Sequence, residues 1–425
     1  MSRSDAAAAS RRACGPPAWI ILDTEAVTDD DTQNASTASA LTGSWQPIQV
    51  TLVAVEPPRV SYLCVHCPSP KSSKDPSVIY AEGNLALLQV SYHDYFIYRA
   101  GRRPSLRLLP ATFSGVEIVR HAPLGIVPIG GRDGEHFVVA AIINSRYESA
   151  YELHVFRSQP GTWTKTRLDL KRYRSSGVTT KVIALGGGEL GWVDLQQGIL
   201  VCDVLSDDDP KPRFVPLPNL LPCNQADKSP RRDDRSCRDV VACADGSIKC
   251  VEMEHVLQRP DISSADVLYD ADLLRDRFGD RPPCAYQCLG WRIIAWNRTA
   301  SSDCWRKGAL LHVNDISADD ALLRQIFGGD DGGRNLTVAR LAAEVPTLSL
   351  DGGDVVYIAC RANYHDTNTW MVAVDTGKKT LEEAALVISG QEESKDSISP
   401  AGIRPRKPFK SSYTSCALSK YLTAD

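Results

Sequence analysis

The chain has 425 residues, 43% hydrophobic and 24% charged, which is ample for a substantial core and excludes wholesale disorder. Its 48 basic and 52 acidic residues leave a net charge of −4, so no basic field is available for nucleic acid. The longest apolar runs, such as residues 137–143, are strand-sized and far short of the about 18 residues that a membrane helix needs.

Residues 1–17 are rich in Ala, Ser and Arg but carry Asp5 and no apolar centre, and are expected to form a disordered tail rather than a secretory signal. From there to residue 425 the pattern predicts a single β-rich domain, 18–425. Short runs with period-two alternation or continuous apolar character appear at 19–23, 49–55, 59–65, 85–91, 95–100 and 105–109. They continue at 137–144, 151–157, 163–168, 179–185, 190–195, 199–204, 214–217, 240–244 and 247–253. The last are 291–297, 309–313, 355–361, 370–375 and 381–388. Strands this short and this numerous indicate a sandwich, barrel or propeller.

A loose repeat favours the propeller. Asp133-Gly134, Asp245-Gly246 and Asp351-Gly352 each precede a β-type run, because Asp and Gly accept the positive φ of a tight turn. Runs ending at Arg157, Asp203 and Asp375 are each followed by a polar loop and a further strand. About six such units are present, which predicts an all-β, propeller-like fold of about six blades with an early strand pairing a C-terminal one. Two segments break the pattern: 265–278 and 318–327 place Leu, Ile and Phe at helical spacing and are expected to be short surface helices. Residues 29–43, 71–77, 207–211, 226–235 and 389–412 read as polar loops.

Thirteen cysteines, odd in number and irregularly spaced, argue against a disulfide framework and for a reducing compartment, cytoplasmic or nuclear. Gly186, Gly188 and Gly191 satisfy the spacing of a dinucleotide fingerprint, yet Leu190-Gly-Trp-Val-Asp-Leu195 leads straight into another strand. The fingerprint needs a helix there, so a tight inter-strand turn is expected instead. Cys64, His66 and Cys67 could meet Cys284 and Cys288 at a zinc ion, but the spacing is irregular and buried thiols are the plainer account. Acidic clusters at 29–31, 207–209 and 330–331 lack the ligand order of a calcium loop. Arg404, Arg406, Lys407 and Lys410 form a small basic cluster of the kind found in nuclear localisation signals and in solvated loops alike. The eight tryptophans lie mostly at strand positions, as blade packing requires.

Several of these segments together resemble a known family: Arg59-Val-Ser-Tyr-Leu-Cys-Val-His-Cys-Pro68, Asp94-Tyr-Phe-Ile-Tyr-Arg-Ala100, Gly186-Gly-Gly-Glu-Leu-Gly-Trp-Val-Asp-Leu195 and Trp370-Met-Val-Ala-Val-Asp375. They resemble the grass-expanded plant family known as domain of unknown function 1618. The resemblance implies plant origin and a β-rich domain, and brings no catalytic, cofactor-binding or metal-binding residue with it. The expectation is a protein-interaction scaffold whose partners are other proteins, with neither nucleic acid, membrane nor cofactor. The alternative is a hydrolase-type enzyme using loop residues at the mouth of the propeller.

Overall fold

The computed structural model describes residues 15–29, 32–67, 75–91, 93–110, 123–130, 136–145, 150–170, 179–206, 210–226, 234–258, 287–299, 302, 304–328, 336–363, 366–387 and 413–422. Blade 1 begins with β1 (Ile20–Asp23), β2 (Ala38–Leu41), β3 (Pro47–Val53) and β4 (Val60–His66). Blade 2 holds β5 (Ser77–Glu82), β6 (Leu85–Gln89), β7 (Tyr95–Arg99) and β8 (Ser105–Leu108). Blade 3 holds β9 (Leu124–Ile129), β10 (His136–Ser145), β11 (Ala150–Arg157) and β12 (Thr162–Leu168). Blade 4 is β13 (Lys181–Gly186), β14 (Glu189–Asp194), β15 (Gly198–Asp203) and β16 (Arg213–Pro216), followed by a short helix α1 (Pro222–Ala226). Blade 5 is β17 (Arg238–Ala242), β18 (Ile248–Gln258), β19 (Gln287–Arg298) and β20 (Arg306–His312). Next come β21 (Ser317–Ala318) and helix α2 (Asp320–Phe327). Blade 6 is β22 (Ala342–Leu348), β23 (Val355–Arg361), β24 (Trp370–Asp375) and β25 (Thr380–Leu386), with β21 added outside β25. The final strand, β26 (Tyr413–Cys416), returns to blade 1. This is a six-bladed β-propeller.

The ring closes as the sequence predicts. β26 pairs antiparallel with β1, Ile20 opposite Cys416 and Asp23 opposite Tyr413, and β1 in turn runs parallel to β4. Blade 1 therefore has the order β2-β3-β4-β1-β26, with its innermost strand supplied by the C-terminal segment.

Alternation within the middle strands explains how the blades hold together. In β6, Leu85 and Leu87 pack toward blade 3 while Ala86 and Leu88 pack toward blade 1. In β15, Leu200 and Cys202 face blade 3, and Ile199 and Val201 face blade 5. In β23, Val356, Ile358 and Cys360 face blade 5, and Tyr357 and Ala359 face blade 1. A middle strand is thus buried on both sides, which is why it reads as a continuous apolar run. The turn grammar holds at two of the three Asp-Gly pairs, since Gly246 and Gly352 take φ values of 78° and 77° between the first two strands of blades 5 and 6, while Asp133-Gly134 lies outside the described residues. Asp203 and Asp375 end third strands and accept backbone N–H groups from the turns that follow.

Departures from the sequence reading are specific. Of the two expected helices, 318–327 is present as α2, with the Asp319 side chain capping the Ala321 N–H and Gly328 left-handed at φ 83°. The other, 265–278, lies outside the described residues. Helix α1 has no counterpart among the expected elements, and Ala38–Leu41, inside an expected polar loop, is an outer strand. Strands β5, β9, β22 and β26 likewise fall outside the predicted set.

Buried charge secures the crossover from blade 4 to blade 5. Glu252 and Glu254, two apart on β18, are both fully buried. Glu252 accepts from the Leu221 N–H and Asn224 Nδ2, each at 2.7 Å, and its other oxygen lies 3.4 Å from Arg238 Nη2. Glu254 accepts from the Cys223 N–H at 2.6 Å and pairs with Arg292. Burial pushes the Glu252 carboxyl up, against the downward pull of Arg238. Arg238 itself donates to the carbonyls of Leu195 and Pro218.

Two stability measurements follow. Trp192 is 2% exposed and its Nε1 donates to the Pro123 carbonyl at 3.0 Å. Trp192→Ala is expected to cost about 3–5 kcal/mol in urea unfolding, and a loss under about 1 kcal/mol would contradict its place between blades. Glu252→Leu should cost about 3 kcal/mol or more, because it strands the Arg238 guanidinium, whereas adding Arg238→Met should recover part of that loss. Simple additivity of the two substitutions would refute the coupling.

Candidate functional site

A propeller's usual site lies where the innermost strands converge, and here these are β5, β9, β13, β17, β22 and β26. On β13, Lys181 Nζ meets Asp239 Oδ1 of β17 at 2.8 Å, both side chains at most 10% exposed. The other Asp239 oxygen accepts from the Leu348 N–H on β22 at 3.1 Å. One carboxylate thereby links three consecutive blades. The adjoining cavity, lined by Lys181, Arg235, Asp239, Val345, Thr347 and Tyr413, measures about 10 Å³. That volume holds about one water molecule.

Beside it, β22 bulges. Glu344 opposes Ala359 and Pro346 opposes Ile358, leaving Val345 as the extra residue at φ 56°. A β-branched side chain is strained in this left-handed region, and the packing of Val345 with Ile21 and Tyr413 holds it there.

A second group of ionisable side chains gathers around β5 and the end of β26. Tyr80 donates its hydroxyl to Glu82 Oε2 at 3.1 Å, and the same hydroxyl meets the backbone of Ala184 on β13, which links blade 2 to blade 4. Burial pushes the Tyr80 phenol well above its usual range, and the neighbouring Glu82 charge adds to the shift. Burial likewise raises the Glu82 carboxyl, against hydrogen bonds from Tyr80 and Gly83 that favour its charged form. Such a carboxyl can hold a proton at higher pH than a solvated one, the property of a general acid. Its neighbour Cys416 is pushed up to about 12 by burial, which makes it an inert thiol rather than a nucleophile.

The residues singled out in the sequence fall as follows. Gly186, Gly187 and Gly188 form the β13–β14 hairpin at φ 83°, 61° and 92°, and no helix begins there. Gly191 lies within β14, where an added Cβ would meet Ile199 Cγ2 at 2.6 Å, so this glycine serves close strand packing. Cys64 and His66 sit on β4 with Cys67 just beyond, and the Cys64 thiol donates to the Asp29 carbonyl at 3.5 Å. Cys288 falls on β19, in blade 5. Cys284 lies outside the described residues, as do positions 207–209 and 330–331 and the basic cluster at 404–410. Among the described residues no three His, Cys, Asp or Glu side chains stand close enough to hold a metal ion. No described helix is long and apolar enough to cross a membrane.

One feature escapes the sequence reading. Trp45 is 80% exposed and takes φ 64° in the β2–β3 turn, where its N–H donates to the Thr42 carbonyl at 2.9 Å. Thr42 Oγ1 accepts from the Gln46 N–H at 3.0 Å, and the Gly43 N–H reaches Asp94 on blade 2 at 3.2 Å. Leu41, 47% exposed, adjoins it at the end of β2. The one signal in the sequence is Gly-Ser-Trp-Gln inside a polar stretch, which has no strand neighbours to bury an indole.

Among solved structures, the chain is similar to the WD40 domain of SCAP from fission yeast, with 9% identity, 87% of this chain and 90% of that one covered, and a TM-score of 0.33. A fungal alcohol oxidase of the AA5 family in complex with copper shows 9% identity, coverage of 87% and 67%, and a TM-score of 0.32. The β-propeller domain of the Trilobed protease from Pyrococcus furiosus shows 11% identity, coverage of 74% and 97%, and a TM-score of 0.26. Likeness at these scores assigns neither fold nor activity. No curated protein matches the chain. Residues 192–357, from β14 into β23, match the model of the family described as protein of unknown function (DUF1618), and this supports, for that segment, the family seen in the sequence.

Proposed function

We propose that this protein is a non-catalytic scaffold of plant cells that binds other proteins in the cytoplasm or nucleus. The observation that carries the reading is Trp45. An indole left 80% in water, on a turn held in a strained left-handed conformation and tied to the next blade by the Gly43–Asp94 contact, is a rigid apolar anchor. Exposed, preorganised tryptophans are the side chains that most often dominate protein interfaces. Where the inner strands of blades 4, 5 and 6 meet, by contrast, the Lys181–Asp239 pair adjoins a cavity of about 10 Å³.

The enzyme reading has one observation in its favour, the raised carboxyl of Glu82 beside Tyr80. A hydrolase working there would lose turnover in Glu82→Gln without losing its fold.

The test compares the wild-type chain with Trp45→Ala as bait in affinity purification from plant tissue. Wild type should return a reproducible set of proteins that Trp45→Ala loses, while unfolding free energy changes by no more than about 0.5 kcal/mol, as for an exposed side chain. Identical sets from the two baits would remove Trp45 as the anchor. Turnover of a small molecule by purified protein, abolished by Glu82→Gln, would replace the scaffold with the enzyme.

A further inference from the structure

The turn that presents Trp45 stands against a carboxylate of the neighbouring blade. Thr42 closes the turn: its N–H donates to the Gln46 carbonyl at 2.8 Å, its carbonyl accepts from the Trp45 N–H at 2.9 Å, and its hydroxyl accepts from the Gln46 N–H at 3.0 Å. The backbone beneath the indole is therefore fixed. Asp94, in the β6–β7 loop of blade 2, is anchored as well, since its N–H donates to Ser91 Oγ at 3.0 Å and its carbonyl accepts from the Val90 N–H at 3.0 Å.

Gly43 is what lets the two loops meet. A Cβ added there would stand 2.7 Å from Asp94 Oδ1 and push the carboxylate aside, whereas glycine admits it and donates its N–H to Oδ1 at 3.2 Å. Among the described residues, Asp94 Oδ2 accepts no hydrogen bond and the carboxylate has no ion pair. Gly43 and Trp45 are two residues apart, so their Cα atoms lie no more than about 7 Å from each other. An indole 80% exposed to water and an unneutralised carboxylate thus share one small area of surface.

From this juxtaposition we propose that the Trp45 turn and Asp94 together bind an arginine side chain on an exposed segment of the partner protein, the guanidinium lying on the indole face with one edge turned to the carboxylate. The inference rests on the scaffold reading and adds the chemistry of its partner. Indole is the strongest aromatic face for a cation, and guanidinium, planar and weakly hydrated, stacks on it while its N–H groups engage a carboxylate. Lysine offers a point charge without the plane. A purely apolar segment would desolvate Asp94 without a compensating bond, and an acidic one would be repelled.

The test selects binders from a random peptide library displayed on phage, with the full chain as bait and Trp45→Ala as counter-bait. Peptides retained by wild type alone are expected to be enriched in arginine. For the strongest of them, followed by fluorescence anisotropy, replacing arginine with citrulline keeps the shape and removes the charge, and should weaken binding about tenfold; Asp94→Asn should weaken it about threefold or more. An asparagine still accepts from the Gly43 N–H, so the variant's melting temperature should be unchanged. If the peptides depend on Trp45 but show no arginine enrichment, or bind equally well as citrulline analogues or to Asp94→Asn, the arginine proposal falls and the scaffold reading stands. If no peptide depends on Trp45, both fall.

Discussion

A blade of this ring has no solvent side. Its middle strands send odd-numbered residues to one neighbour and even-numbered residues to the other, as in Leu85–Leu88 and Val356–Cys360, so each sheet completes two interfaces at once. The hydrophobic contribution of a blade is therefore realised only when both neighbours are in place, and the ring is stable as a circle or hardly at all. Buried polar groups follow the same logic. Asp239 joins blades 4, 5 and 6, and Arg238 ties β17 to the chain crossing from blade 4, so these two buried charges sit where the sheets meet.

This two-sided burial decides what the sequence reveals. β6, β15, β23 and β24 are legible because an uninterrupted apolar run of strand length, bounded by turn residues, is the pattern of a strand covered on both faces. Strands at either edge of a blade lack that signature. β9 reads Leu-Gly-Ile-Val-Pro-Ile and β22 reads Ala-Ala-Glu-Val-Pro-Thr-Leu; each carries a proline, which normally argues against a strand, but these are first strands whose inner edge has no ladder partner. β2 and β26, Ala-Ser-Ala-Leu and Tyr-Thr-Ser-Cys, are too short and polar to stand out, and only tertiary pairing makes them strands. Helix α2 is visible through local chemistry alone, with Asp before it, Gly after it and apolar residues on one face.

The candidate sites are less legible than the fold, for a related reason. The motifs that draw attention, the Gly186–Gly191 spacing and the Cys64–Cys67 cluster, are answered by hairpin geometry and strand burial. The features that carry chemistry are instead juxtapositions across long separations: Tyr80 against Ala184 and Asp239 against Leu348. No window of sequence contains both partners. Trp45 is the exception in kind, a local feature whose meaning rests on its exposure to water.

The pairing of Ile20 with Cys416 and of Asp23 with Tyr413 has a kinetic side. A strand near the start of the chain waits for its partner until nearly four hundred residues have been arranged between them, and closing a loop of that size demands order before it returns any contact energy. Until then β1 presents an unpaired edge, and the apolar faces of blades 1 and 6 stand open to water. Such an intermediate is prone to associate with copies of itself. The speed with which β26 arrives, more than the final stability of the ring, then sets how much of the newly made protein survives to use it.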